Sequence, residues 1–270
     1  MSVPKAVEEH YSTGLTRSNI EAALINAGKD PAKLEPADLA TLEDFHTMGR
    51  LATAALGDLA SVKREDRVLD AGTGIGGAAR FLAGRFGCRV TAVDLTAEYC
   101  ETARWLNGSV GLGDLIDVQQ ADVLEMPFGD ASFDVLFSQH VQMNIAEKAR
   151  LYGEARRVLA TGGRLALWDV LAGGEQPIHF PVPWAVEPDL SCLVDTQELR
   201  SITAAAGFAA LAWNDLTDVA VEAMDALLAA PPGPLGLQVF VPDLPAKAAN
   251  LARNLRENRA RVVQAVLVAV

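Results

Sequence analysis

The stretch "LDAGTGIGGAAR", Leu69 to Arg80, decides how this chain folds. Gly72, Gly74 and Gly77 spell G-x-G-x-x-G, while Asp70, Gly72, Gly74 and Gly76 spell D-x-G-x-G-x-G. Either spacing marks a tight turn from a strand into a helix. The helix N-terminus it creates is a ready anion site, because its first amides lack partners and its dipole is positive there. The flanks agree: "DRVLDAG" reads as a short apolar strand and "GAARFLAGRFG" as the helix that follows.

Outward from this turn the pattern alternates. "CRVTAVDL", "LIDVQQAD", "SFDVLFSQ", "RLALWDVL" and "AALAWNDL" read as strands, with "AEYCETARWLNG", "NIAEKARLYGEARRVLATGG" and "DTQELRSITAAAGF" as helices between them. Alternation of this kind predicts a parallel sheet with helices on both faces. Asn144 with Glu147 is placed to cap the helix after "SFDVLFSQ", and Gly162-Gly163 to end it. Before the glycine turn, "TRSNIEAALINAG" and the long "EPADLATLEDFHTMGRLATAALGDLASV" carry helical spacing. "RVVQAVLVAV" reads as a closing strand. Segments 1–60, 172–195 and 217–258 fall outside the alternation and form the expected helical cap. The expected organisation is an N-terminal cap segment at 1–60, a core at 61–216 with an insertion at 172–195, and a C-terminal segment at 217–270.

The glycines fit a dinucleotide and S-adenosyl-L-methionine alike, and Asp70 separates them. Its carboxylate closes the strand just before the turn, where it would repel a pyrophosphate and attract an ammonium and a sulfonium. Asp94, ending the next strand, is placed to accept from ribose hydroxyls, which serves both cofactors. Asp122 follows the third strand, in reach of an adenine amino group, with Val123 offering a backbone contact.

Asp70 through Gly76, Asp94, "ADVLEMPF", "SFDVLFSQH" and "EARRVLATGGRLALWDV" together resemble the class I S-adenosylmethionine-dependent methyltransferases. The set runs in order from about residue 67 to 169. The resemblance is to the small-molecule branch that includes ubiquinone/menaquinone, tocopherol, sterol and sarcosine/dimethylglycine methyltransferases, and "EDFHTMGR" and "SQHVQMNI" are similar to the last of these. It implies an α/β, three-layer, Rossmann-like fold with a seven-stranded, mostly parallel sheet whose last strand is antiparallel, plus the helical cap. It also implies S-adenosyl-L-methionine held by Asp70, Gly72, Thr73, Gly74, Gly76, Asp94, Leu95, Asp122, Val123, Ser138 and Gln139. The implied activity is methyl transfer to a small-molecule acceptor. No H-x-x-x-H or H-E-x-x-H spacing exists among the histidines, so no metal site is expected.

Methyl transfer is an in-line displacement, and a base is needed only where the acceptor is protonated. His140 follows the fourth strand and lines the crevice beyond the strand ends, so it is the candidate base; the alternative is packing against the cofactor. His46 on the long N-terminal helix, Tyr11, Asn144, Phe180 and Trp184 are candidates for the acceptor pocket. Each has a bland alternative, a structural histidine, a surface aromatic or a helix cap. Phe180 and Trp184 would supply an apolar wall.

The 270 residues carry a formal net charge of -12, which disfavours a nucleic-acid groove. Three cysteines without C-x-x-C spacing read as reduced thiols, and no apolar run approaches a membrane span. A soluble cytoplasmic chain is expected, with oligomeric state open and a homodimer among the outcomes. An NAD(P)-dependent oxidoreductase would explain Gly72, Gly74, Gly77 and Asp94 but not Asp70. A non-catalytic S-adenosylmethionine-binding protein would explain them all.

Overall fold

A computed structural model describes residues 3–231 and 233–270. In chain order, α1 (Val3–Tyr11), α2 (Thr16–Asn26) and α3 (Gly49–Leu59) precede β1 (Arg67–Ala71) and α4 (Gly77–Phe86). Then come β2 (Arg89–Asp94), α5 (Ala97–Ser109), β3 (Ile116–Gln120), β4 (Phe133–Gln139), α6 (Lys148–Val158) and β5 (Leu159–Ala172). The chain closes with α7 (Thr196–Ala205), β6 (Phe208–Asp215), α8 (Thr217–Ala229), α9 (Leu244–Arg256) and β7 (Ala260–Ala269). Among the described residues the strands form one seven-stranded sheet in the order β3-β2-β1-β4-β5-β7-β6. β7 runs antiparallel to both neighbours, and the pairs from β3 to β5 are parallel.

Successive strand residues divide between the sheet's two faces, which explains why the strands read as continuous apolar runs. Val68, Val135, Ala166 and Val262 join the core beneath α3, α4 and α9, while Leu69, Leu136, Leu167 and Val263 join the core beneath α6 and α7. α8 and α9 also lie on the first of these faces, through Ala220, Met224, Leu251 and Leu255. A third cluster joins α2, α5 and the 240 region through Ile20, Leu24, Leu106 and Phe240. Among the described residues no helix is long and apolar enough to cross a membrane.

Two helical expectations fail, each for a polar reason. The long helix expected over residues 35–62 is broken into a single turn at Pro36–Leu39, an irregular stretch and α3. Met48 and Gly49 both adopt left-handed backbone, and Glu43 and Asp44 turn inward instead of facing solvent. Glu43 meets the buried guanidinium of Arg80 at 2.7 Å, an interaction that a continuous amphipathic helix would leave unmade. Asn144 is not a helix cap: it lies in the turn Gln142–Asn144, and α6 starts at Lys148 with no side-chain cap from Glu147. Nor does α6 reach Gly162-Gly163, because it ends at Val158 and β5 begins at once. The closing strand forms as expected.

The insertion after β5 is a strap laid along α9. Asn254, fully buried, accepts from the His179 amide at 2.7 Å and donates to the His179 carbonyl at 2.9 Å, and Asn250 donates to the Pro181 carbonyl. Asn254→Ala would strand both main-chain groups of His179 inside the protein. It is expected to lower unfolding free energy by about 2–3 kcal/mol in urea denaturation, since an unmet buried polar group carries its full desolvation penalty. A change under about 0.5 kcal/mol would show that the strap is not held there.

Candidate functional site

The glycine turn is built mostly from its own backbone and from the end of β2. The Gly72 and Thr73 amides both donate to the Val93 carbonyl, at 2.8 and 2.9 Å, and the Gly74 amide donates to Asp94 Oδ2 at 2.8 Å. Gly72 has φ of 80°, and a Cβ there would overlap the Val141 side chain arriving from β4. The residue must therefore be glycine for the β1 and β4 exits to approach. These closed amides leave less of an anion cradle than the bare motif suggests. Next in the helix, a Cβ on Gly77 would stand 2.6 Å from the Glu43 carbonyl and 2.8 Å from Asp44 Oδ1. A pyrophosphate laid on the first turn of α4 would meet those oxygens, which weighs against a dinucleotide.

Beyond the carboxyl ends of β1, β2 and β4 lies a cavity of about 410 Å³. Of the residues expected to hold a cofactor, it gathers Asp70, Gly72, Thr73, Gly74, Asp94, Leu95, Asp122, Val123 and Gln139. Gly76 is not among its walls; it caps α4 with left-handed backbone, close to Arg80 and Ala103. Ser138 points to the other face of the sheet, toward Tyr152 and Leu167.

The acids differ in what they already hold. Asp70 accepts from the Thr73 hydroxyl at 2.6 Å, and burial raises its carboxyl to about 6, with the Thr73 hydroxyl and the Ala79 amide pulling the other way. Asp94 is pushed up by burial, against the Thr96 and Gly74 amides that it accepts from. Asp122 accepts from the Leu124 amide at 2.8 Å. Each carboxylate retains lone pairs for a ligand. Gln139 receives the Thr53 hydroxyl at 3.2 Å, and its buried Nε2 has no partner.

His140 and His46 both reach the cavity, their rings 6.0 Å apart. His46 does so from the broken stretch, not from a helix. His140 is held at φ 54° in left-handed backbone, its amide donating to the Trp168 carbonyl at 2.8 Å. Burial, and then the neighbouring His46, drive its imidazole well below the ordinary value, so it is neutral at pH 7. Thr47 Oγ1 receives the Trp168 indole N–H at 2.9 Å and lies 3.2 Å from His140 Nε2. The Thr47 amide also donates toward Nε2, at 3.5 Å, which makes that nitrogen the acceptor and the Thr47 hydroxyl its second donor. Sequence reasoning missed Asp169, whose Oδ2 accepts from the Val141 and Gln142 amides at 3.1 and 3.2 Å and so fixes the turn that presents His140. A carboxylate inside the apolar run "LALWDVL" was the available signal.

Tyr11 and Asn144 meet over the cavity, the phenol donating to Asn144 Oδ1 at 2.9 Å. Asn144 Nδ2 donates to the Trp184 and Leu190 carbonyls at 2.8 and 2.9 Å. The side chains of Phe180 and Trp184 do not line the cavity. Trp184 is fully buried in the core with its indole donating to Ser191 Oγ, and Phe180 packs on the same core. Pro183 lines the cavity from that strap instead, together with Phe240 from the turn before α9.

Residues 69–167 match the family model described as a methyltransferase domain. The sarcosine/dimethylglycine N-methyltransferase of Halorhodospira halochloris is 36% identical over 110 residues, 41% of this chain and 39% of that protein. The O-methyltransferase cnsE of Penicillium expansum is 27% identical over 222 residues, 80% of this chain and 75% of that protein. The solved geranyl diphosphate C-methyltransferase of Streptomyces coelicolor A3(2) superposes with a TM-score of 0.74 at 17% identity, covering 100% of this chain and 99% of that one. At such identity the likeness is one of fold. Against three of its curated relatives the chain spans only 39%, 23% and 32% of their length.

Asp70, at the head of the glycine turn, carries a pH signature. Its carboxyl rises from 3.8 to about 6 on folding, so between those values the folded chain holds a proton that the unfolded chain has released. The associated stability is full below pH 3.8 and is lost as pH rises through 6. Asp70→Asn is expected to raise the unfolding free energy measured by urea denaturation at pH 8 by on the order of 1–3 kcal/mol, with the gain gone by about pH 4. A variant less stable than the wild type at pH 8 would show that the Thr73 bond outweighs burial.

Proposed function

We propose that the chain is an S-adenosylmethionine-dependent methyltransferase acting on a small-molecule acceptor. The observation that carries this reading is the charge of the cavity. Glu43, Asp44, Asp70, Asp94, Asp122 and Glu147 contribute to its walls, Glu43 being paired with Arg50 and Arg80 behind them, and among the described residues no Lys or Arg lines the cavity. Such walls suit a cofactor bearing an ammonium and a sulfonium and oppose a pyrophosphate. When bound, that cofactor supplies a methyl group on a cationic sulfur that leaves as a neutral thioether.

The chain's own residues would then divide the work. Asp94 and Asp122 accept from the nucleoside hydroxyls and amino group, with Leu95 and Val123 packing beside them. Phe45, Ile75, Met143 and Phe240 line the cavity and exclude water, so that alignment and desolvation supply much of the acceleration. His140, neutral and buried, is able to take a proton from a hydroxyl or ammonium acceptor at Nε2 once the Thr47 hydroxyl gives way.

The same walls bear on the acceptor. A phosphate or diphosphate placed about 6 Å from one of these carboxylates would be repelled by roughly 3 kcal/mol per charge pair at an effective dielectric of about 20. The acceptor is therefore neutral or cationic, unlike the diphosphate named for the Streptomyces coelicolor structure. In a labelled-methyl transfer screen, amines, alcohols and phenols are expected to take label while their phosphate esters do not. Preference for the phosphorylated member of a matched pair would contradict this reading.

His140→Ala is expected to lower kcat by about 10²–10⁴-fold and to leave S-adenosylhomocysteine affinity within about threefold, the window set for a residue that acts on the acceptor alone. Because the imidazole stays neutral well below its ordinary value, wild-type kcat should show no inflection between pH 8 and 6.5. Unchanged kcat in the variant would return His140 to packing.

A further inference from the structure

The connection from β4 to α6 forms the wall of the cavity that bears His140, with Gln139, Val141, Met143, Asn144 and Ile145 beside it. Two buried groups of opposite charge hold this connection. At its start Asp169 accepts the Val141 and Gln142 amides. At its end the Lys148 ammonium donates to the Gln142 and Ile145 carbonyls and, across to the strap, to the Cys192 carbonyl at 2.7 Å. Lys148 is 5% exposed and makes no ion pair among the described residues. Its place is unfavourable twice over, because burial penalises the charge and the first turn of α6 presents the positive end of a helix dipole. The mechanism above gives this cation no part.

What the charge supplies is a count of donors. An ammonium has three N–H groups for the three carbonyls, whereas the neutral amine has two and turns a lone pair toward the third. Loss of one proton therefore leaves a buried carbonyl of the wall or the strap unmet, which shifts the balance between closed and open by about fivefold or more. Few other bonds cross this seam: the Cys192 amide donates to the Met143 carbonyl at 2.7 Å, and Asn144 donates to the Trp184 and Leu190 carbonyls. We propose that Lys148, as the ammonium, is a positioning residue for methyl transfer. It clamps the wall that bears His140 to the strap that bears Pro183 and so shapes the acceptor side of the cavity, an inference that rests on the methyltransferase reading above. Burial brings the group down from 10.5 to about 8, against Asp169 on β5, Cys192 in the strap and Glu198 on α7, which favour the charged form. Between those values the unfolded chain holds a proton that the folded chain has released, so the contribution of Lys148 to stability rises with pH while the clamp loosens. The effect falls on acceptor KM and not on kcat, since a bound acceptor holds the same wall in place.

Amide hydrogen exchange followed by mass spectrometry from about pH 7 to 9.5, corrected for the intrinsic pH dependence of exchange, reads the clamp directly. In the wild type, protection of peptides covering 140–147 and 185–193 is expected to fall at least fivefold across about pH 8, with the β1 peptide unchanged. Lys148→Arg, which stays charged, is expected to show no such step, and Lys148→Met to be open already at pH 7. No step in the wild type, or a loss shared by β1, overturns the assignment, and this result needs no variant to fold. For the amine, alcohol or phenol that takes most label in the transfer screen, Lys148→Met is expected to raise KM at least tenfold, with kcat and S-adenosylhomocysteine affinity within threefold. A loss in kcat alone, or an equal loss of S-adenosylhomocysteine affinity, overturns it. Wild-type protein that binds no S-adenosylhomocysteine removes the methyltransferase reading, and the positioning role with it, even where the exchange step is seen.

Discussion

The cavity exists because strand order reverses at β1. β2 and β3 lie to one side of it and β4 to the other, so the connections leaving β1 and β4 turn away from each other and open a crevice at the strand ends. The end of β2 holds the β1 exit in place: the Val93 carbonyl takes two amides of the turn and Asp94 takes a third. Across the crevice, Val141 packs where any side chain at position 72 would stand. Geometry at the reversal thus sets the glycines, the acid after β2 and the distance between the two walls.

Three covering segments close over this crevice, each tied down by one buried or half-buried polar side chain. Glu98 on α5 accepts from the Ser12 hydroxyl and from the Gly14 and Thr16 amides, which fixes the joint between α1 and α2. Those bonds overcome the upward push of burial and bring its carboxyl down to about 2. Asn144 ties Tyr11 to the strap, and Glu43 with Arg80 ties the stretch before α3 to α4. A buried ion pair adds little net stability against an apolar replacement, but losing one partner is costly, so it selects a single arrangement. Here that arrangement brings His46 and Asp44 to the cavity.

Much of this architecture is legible in the sequence where one period dominates. "RVLDAG", "CRVTAVDL" and "SFDVLFSQ" alternate with helical spacing strongly enough to give the parallel sheet and the positions of Asp70, Asp94 and His140. Legibility fails where tertiary partners override local pattern. Leu39, Leu42 and Phe45 keep helical spacing, yet the chain bends because Glu43 finds Arg80, about forty residues away. Asn144 resembles a helix cap, yet its carboxamide is spent on Tyr11, Trp184 and Leu190. Trp184 reads as a pocket aromatic, while only its carbonyl and the adjacent Pro183 matter to the site. Lys148 and Asp169 escaped notice because their significance lies in burial and in the partners they have, which no spacing records.

The central claim is that an acid-lined crevice on a glycine turn accepts a cationic nucleoside amino acid and refuses a pyrophosphate. Titration calorimetry of the wild-type protein with S-adenosylmethionine and with NADH, at matched ionic strength, tests this most directly. Saturable one-to-one binding of S-adenosylmethionine with no heat from NADH is the expected result. Tight NADH binding with no response to S-adenosylmethionine would contradict it.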